Sequence, residues 1–375
     1  MDLHVLNTNF ETIAVIDAYE SMLWTDRYYE PGEFEIYTPV SDEMLEFPKV
    51  NNYIRIGKSP HLMIVEDIAI EATVDTGNHI RIKGRSLESI LDRRFVVEEI
   101  NVSGSVQNTI RSILTTNIIA PSDAARRIDN FIFEDSTDPK ITELTFESQY
   151  KGKNVLEIIT EICKDKEIGF KVLLNDNNQF VFSLYAGIDR SYRQEVLPWV
   201  VFKPSFENLI NSNYTEAHNG AKTFCYVHAQ YSESSGEASY YPEEKRLEIS
   251  GSSSQIDVIR TVGSGTGLLR KEIYKEGGVS KEEGESMDSW YAKLDQSGRD
   301  ELNDKKVEKQ FEGELETTRM FIYDRDFFVG DVVQVANEYG MESPARMTEY
   351  TWEISSSGTN NHPTFEALDY EESEG

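Results

Sequence analysis

Tyr19-Glu20-Ser21-Met22-Leu23-Trp24-Thr25-Asp26-Arg27-Tyr28-Tyr29-Glu30-Pro31-Gly32-Glu33-Phe34 is the stretch on which the reading of this chain turns. Trp24, Tyr28 and Phe34 offer large apolar area, and rings of this size dominate cores and interfaces alike. Pro31-Gly32 predicts a type II turn, with proline presetting one central position and glycine taking the other. Arg27 has Asp26, Glu30 and Glu33 within reach for an ion pair, or a ring to stack on. The segment therefore reads as a hairpin. Its aromatic residues either close one end of a barrel or make a subunit contact, where Trp, Tyr and Arg are enriched. The residues alone leave both readings open.

The neighbouring sequence extends the β pattern. Leu3 to Leu6, Thr12 to Ile16, Phe34 to Tyr37, Tyr53 to Gly57, His61 to Ile70 and His79 to Gly84 show short runs. Several alternate apolar and polar residues, as half-buried strands do. Gly57-Lys58-Ser59-Pro60 and Asp75-Thr76-Gly77-Asn78 supply turn chemistry between them. Strands at this spacing predict a small barrel or sandwich. From Ser86 onward Leu87, Ile90 and Leu91 take helical spacing.

Residues 96 to 198 read as a mixed α/β unit. Val106, Ile110, Ile113 and Leu114 share one helical face with Ser105 as N-cap. Val155, Ile158, Ile159 and Ile162 do the same, with Gly169 as the C′ residue of that helix. Phe170 to Leu174 and Gln179 to Tyr185 form a hairpin about Asn175-Asp176-Asn177-Asn178. Beyond Trp199 strands return at Lys222 to Tyr231, Leu247 to Gly251, Gly330 to Ala336 and Ala345 to Ser355. Between them, residues 275 to 316 carry 13 acidic and 7 basic side chains. Met287, Trp290, Tyr291 and Leu294 still mark an apolar stripe there, predicting an inserted helix docked by its aromatic residues. Glu371 to Gly375 read as a frayed acidic tail.

Composition narrows the function. The 375 residues suit two or three domains. With 37 Lys+Arg against 67 Asp+Glu the net charge is −30, which disfavours a grip on nucleic acid or on an anionic membrane. Cys163 and Cys225 are the only cysteines, too few for a cysteine-rich metal site or a disulfide framework. The N-terminus lacks the pattern of a secretory signal, and no apolar stretch approaches the roughly 20 residues of a membrane span.

Catalytic constellations are equally scarce. His4, His61, His79, His218, His228 and His362 are scattered and read as surface or strand-end residues. There is no GxSxG elbow, and Gly263-Ser264-Gly265-Thr266-Gly267 lacks the Lys-Ser/Thr pair of a phosphate loop. Asn175 to Asn178 lacks the spaced ligands of a calcium loop. The expectation is a non-enzyme with no catalytic residue, cofactor or metal.

Ser21-x-x-Trp24-Thr25-x-Arg27-Tyr28-x-x-Pro31-Gly32-x-Phe34 resembles the siphophage tail-hub family, whose members form the tail tip and the structural N-terminal module of tail-associated lysins. Leu62 to Ile68, Lys83-Gly84-Arg85-Ser86 to Leu91, Tyr150 to Leu156, Gly169-Phe170-Lys171 and Tyr185 to Ser191 continue the likeness. Val329-Gly330-Asp331-Val332-Val333 and Arg346 to Glu349 resemble its closing strands.

The resemblance implies a relative of the central hub of contractile tails, with an α+β, β-rich fold. Two small β-barrel tube domains, residues 1–95 and 199–375, would carry an α/β domain (96–198) and a charged helical insertion at about 260–316 outside them. It implies a homotrimeric ring that continues the tail tube and adapts sixfold to threefold symmetry. Its partners would be the distal tail ring, the tape-measure end and receptor-binding, tail-fibre or lysin components. Phage DNA would pass through without specific binding, and the protein would be made in the host cytoplasm and reside at the virion tail tip. The alternatives are a tail-associated cell-wall hydrolase and a carbohydrate-binding adhesin. Because the chain stops soon after the closing strands, hydrolysis is not expected to carry over. Trp24, Asp26, Arg27, Tyr28, Pro31, Gly32, Phe34, Gly84, Arg85, Ser86, Gly330 and Asp331 are the motif positions expected to close the fold or to meet another protomer.

Overall fold

The computed structural model describes residues 2–73, 77–234, 244–250, 253–276, 279–316, 320–356 and 358–368. Expected features at Asp75-Thr76, Gly251 and Glu371 to Gly375 lie outside the described residues. The first part of the chain forms β1 (Leu3–Leu6), β2 (Thr12–Ile16), β3 (Ser21–Arg27), β4 (Glu33–Pro39), α1 (Asp42–Glu46), β5 (Tyr53–Ile56), β6 (Met63–Thr73) and β7 (Gly77–Ser86). Alternation decides these strands: in β4 Phe34, Ile36 and Thr38 are buried while Glu33 and Pro39 are exposed. A 3-10 helix, Leu87–Arg93, follows at the change of spacing.

The middle of the chain runs β8 (Phe95–Val96), β9 (Ile100–Ser105), α2 (Val106–Leu114), β10 (Phe131–Glu134), α3 (Pro139–Thr142), β11 (Thr145–Tyr150), β12 (Lys153–Asn154), α4 (Val155–Asp165), β13 (Gly169–Leu174) and β14 (Phe180–Tyr185). The apolar stripes of α2 and α4 are buried as their spacing requires. Asn154 caps α4 through Oδ1, which accepts from Leu156 N at 2.8 Å. Ser105 stands at the N-cap of α2, but its side chain makes no cap bond. In the β13–β14 turn Asn175 Oδ1 accepts from Asn177 N and Gln179 N, both at 3.0 Å.

The last part supplies β15 (Val201–Phe202), β16 (Leu209–Ala217), β17 (Phe224–Ser234), β18 (Glu244–Ser250), β19 (Ser253–Gly263), β20 (Glu272–Glu276), α5 (Met287–Asn303), β21 (Glu308–Leu315), β22 (Val332–Ala336), β23 (Glu342–Ser355) and β24 (Gly358–Ala367). One large sheet takes strands from both ends of the chain in the order β16-β21-β24-β23-β3-β4-β7-β6-β5-β1-β2, with β22 and β15 branching from β23. The fold is β-rich α+β, but among the described residues no sheet closes into either of the two small barrels expected. The outer edge of β3, which a barrel made from the first strands alone would use to close, is taken by β23.

Two local expectations are also corrected. Gly32 is not among the residues with positive φ, so Pro31-Gly32 does not make a type II turn. Glycine is needed there because a Cβ would lie 2.3 Å from Thr25 O. Gly169 is not the left-handed residue after α4; Glu167 is, at φ 53°. Gly169 instead starts β13 against Tyr28, whose ring would lie 2.3 Å from an added Cβ.

Among the described residues two hydrophobic cores result. The larger runs from Leu3 to Phe365 through the large sheet and the α/β unit. The smaller, centred on Trp290, Leu294, Val227 and Val258, lies between α5 and the sheet β18-β19-β17-β20.

Candidate functional site

Side chains of β3 alternate between two surroundings. Met22, Trp24 and Asp26 point into the core, while Leu23, Thr25 and Arg27 reach the outer face. Trp24 is fully buried, with Phe34 at 6.0 Å between ring centroids. Across β7, Gly84 lets the sheet close on Phe34, because a Cβ would lie 1.7 Å from Ile64 O and 2.8 Å from the Phe34 ring. Ser86 and Gly32 lock together: Gly32 N donates to Ser86 Oγ (2.8 Å) and Ser86 N to Gly32 O (2.9 Å).

Tyr28 is the joint at which three parts of the chain meet. Its N–H donates to Thr348 O of β23 at 2.9 Å. Its hydroxyl donates to Glu167 O and accepts from Gly187 N, each at 3.2 Å. Its ring lies against Gly169 and Gly330, either of which would place a Cβ 2.3 Å from it. Arg346 sits 5.6 Å from the ring centroid and donates to Gly330 O (3.1 Å) and Glu167 Oε2 (2.8 Å). Burial pushes the Tyr28 phenol up to about 12, so it stays a neutral donor. Beside this joint Asp331 accepts from Ile188 N (2.8 Å), Arg190 Nε (3.0 Å) and Phe328 N (3.2 Å). Burial outweighs these bonds and raises its pKa.

Beneath the sheet lies a buried charge network. Asp26 accepts from Ser59 Oγ (2.8 Å), Trp24 Nε1 (3.2 Å) and Tyr323 OH (3.4 Å). His61 Nδ1 is 3.2 Å from Glu88 Oε1, off line for a hydrogen bond, so the contact is an ion pair. Glu88 Oε1 also accepts from Val172 N at 2.8 Å, tying the α/β unit to the sheet. Burial alone would lower the His61 pKa, but Glu88 and Asp26 override it and push it up to about 9. Burial raises Asp26 despite His61; Glu88, equally buried, is held low by His61. The expectation of a surface or strand-end histidine therefore fails at His79, which is buried in β7, and at His61, whose side chain is only 12% exposed and sits on two carboxylates.

The outer face of the same strands forms a groove of about 620 Å³ lined by Thr25, Arg27, Glu35, Glu66, Lys83, Arg85 and Glu349 among others. Arg27 pairs with Glu33 (2.6 Å) and Glu349 (2.7 Å), Lys83 with Glu35 (2.6 Å), and Arg85 with Glu66 (2.8 Å) and Asp92 (3.1 Å). Cations already seated on carboxylates offer little to a phosphate chain. The groove can bind by shape and by exchange of ion pairs.

The motif residues thus gather at two sites. Trp24, Asp26, Tyr28, Phe34, Gly84, Ser86, Gly330 and Asp331 sit inside, whereas Arg27 and Arg85 line the groove and Pro31-Gly32 bridges them. Glu349, Arg346 and Gly187 lie in the family-like segments but were not among the expected site residues, and the pairing of His61 with Glu88 was not foreseen. A lone charged residue in a strand pattern carries no sign of its partner; only the unusual burial of such residues, unknown before folding, would have marked them. Among the described residues no cluster of three or more His, Cys, Asp or Glu side chains could hold a metal ion. Burial raises the pKa of both thiols, Cys163 and Cys225. No helix among the described residues is long and apolar enough to cross a membrane.

Similar architecture occurs in solved structures. The 43 kDa tail protein of prophage MuSo2 from Shewanella oneidensis superposes with a TM-score of 0.56 at 10% identity, covering 97% of this chain and 98% of that one. A tail protein from Neisseria meningitidis MC58 gives 0.55 at 11% identity, covering 98% and 95%. The prophage tail protein gp18 of Listeria monocytogenes EGD-e gives 0.52 at 12% identity, covering 99% and 95%. At such identities the likeness establishes a shared fold. No curated protein matches the sequence. A family match running from residue 2 to residue 365, through the large sheet and everything between its two ends, makes this chain a member of the siphovirus ReqiPepy6 Gp37-like protein family.

Proposed function

We propose that this chain is the structural hub of a siphophage tail tip, working without catalysis. The observation that carries the reading is the large sheet. It sets a group of strands from the start of the chain beside a group from its end, joined edge to edge through β3 and β23. One protomer therefore brings two strand groups to a wall, and three protomers bring six. That is what a trimer needs to meet a sixfold tail ring. The large-sheet strands of residues 1–95 and 199–375 would form the tube wall, with 96–198 and the separate unit of β17 to β20 and α5 outside. The fold shared with phage tail proteins supports this arrangement.

In this reading the buried motif residues close the protomer, and the groove at Arg27 and Arg85 meets a neighbouring protomer or the distal tail ring. Receptor-binding components would attach to the outer domains. The net charge of −30 and the paired cations of the groove favour passage of DNA over its retention. Light scattering tests the assembly: a mass three times 42.9 kDa is expected. A monomer at tens of micromolar, alone and with the distal tail ring added, would overturn it. A host-wall suspension should keep its turbidity with the protein present; clearing would overturn the non-catalytic role.

A further inference from the structure

Residues 218–307, in their described part, stand on a two-strand neck. β16 and β21 are antiparallel partners with Ala217 opposite Glu308, so the chain leaves and rejoins the large sheet at adjacent positions. Lys222 N donates to Lys305 O (2.7 Å) across the base of the neck. Beyond it, β17 to β20 and α5 enclose their own core, which shares no residue with the larger one.

This module rests on the α/β unit through polar contacts. Ser280 N donates to Gln149 Oε1 (2.7 Å), Lys293 Nζ to Asn101 Oδ1 (2.6 Å) and Ser289 Oγ to Glu147 Oε1 (2.9 Å). Asp165 of α4 accepts from Asn303 Nδ2 (2.9 Å) and Gln296 Nε2 (3.3 Å). Asp300 of α5 is buried in this seam, 5% exposed, with Gln296 Nε2 donating to its Oδ1 at 2.7 Å.

Gln296 Nε2 thus bridges Asp300 to Asp165 of α4, and Glu161, one turn earlier on α4, adds its charge to theirs. Tyr150 of β11 faces the same three, its buried hydroxyl unpaired. Lys275 of β20 is the cation nearest in effect, and it also pairs with Glu301 (3.6 Å). Lys153 is engaged with Glu161, and Lys166 with Asp165 at 2.8 Å. Burial first, then Glu161, push Asp300 up to about 7 against the pull of Gln296 and Lys275.

We propose that residues 218–307 form a proton-latched arm, docked on α4 while Asp300 is protonated and released about the β16–β21 neck once Asp300 ionises against Glu161 and Asp165. Undocking returns Asp300 to water and to its ordinary value of 3.8. A proton therefore leaves on release between pH about 4 and about 7. Docking weakens up to tenfold per pH unit across that window and levels off above it.

The test uses the full chain labelled for energy transfer at Glu157→Cys on α4 and Leu268→Cys on the arm, both exposed, while Cys163 and Cys225 are buried. The docked-to-released ratio should fall about fiftyfold between pH 5 and pH 7. Asp300→Asn should hold the docked distance at both pH values. A distance independent of pH in the unsubstituted arm, or an Asp300→Asn chain that follows the same pH curve, overturns the proposal. Glu161→Gln with Asp165→Asn is the second variant and should move the release curve to higher pH; an unmoved curve also overturns it.

Discussion

Trp24 and Trp352 stand directly opposite each other in the antiparallel ladder between β3 and β23. One pair along, Thr25 Oγ1 and Thr351 Oγ1 lie 2.9 Å apart although 326 positions separate them in sequence. The first and last strand groups of the chain therefore form one sheet, and the two indoles are the largest side chains buried at that junction.

Trp24→Ala or Trp352→Ala should each cost about 3–5 kcal/mol, the range for emptying a buried indole site. Urea denaturation checks this. A loss under about 1 kcal/mol would show that the junction contributes little to the fold.

Glycine at the Tyr28 joint is required by space as well as by conformation. Gly330→Ala adds a Cβ 2.3 Å from the Tyr28 ring at φ +99°, and should cost about 2–5 kcal/mol. Gly152→Ala, at φ +66° with open space around it, should cost only about 1–2 kcal/mol. Equal losses in the two melting curves would contradict a packed joint.

The His61–Glu88–Asp26 network predicts loss of stability in alkali. Below pH 6.5 the imidazole is charged in both folded and unfolded chains, and its pairing stabilises in full. Between 6.5 and about 9 only the folded chain keeps the proton, so the contribution falls away by about 3 kcal/mol. Denaturation at pH 6, 8 and 9.5 should trace this decline, and His61→Asn should flatten it.

Asp331→Ala leaves the N–H groups of Ile188 and Phe328 without their carboxylate and Arg190 without its partner. A loss of about 3–5 kcal/mol is expected, with Asp331→Asn recovering part of it. Thermal melting of the two variants side by side decides between a charge effect and a shape effect.

Local chemistry made much of the secondary structure legible. His79 to Gly84 alternates and is β7; Val155 to Ile162 repeats at helical spacing and is α4; Asn175 to Asn178 turns the β13–β14 hairpin. Pairing was not legible, because alternation in Phe34 to Thr38 and in Arg346 to Ser355 states which face is wet, never which strand lies alongside. For the same reason the candidate site was half visible. Trp24, Tyr28 and Gly84 announce crowding by size or by its absence, but nothing near Arg27 points to Glu349, and nothing near His61 points to Glu88. Gly32 and Gly169 were legible as necessary while the reason for each was misread: steric room, rather than a left-handed backbone, requires them.

The β3–β23 ladder also sets a clock on biosynthesis. When the ribosome has released the first strands, the free edge of β3 has no partner until Ser355 has been made. At about 5–20 residues per second that wait lasts roughly 15–65 s. During it Trp24 and an unpaired strand edge stay open to other chains. The nascent chain therefore passes through a state open to strand exchange with its sisters on the same message, and β23 acts as the seal.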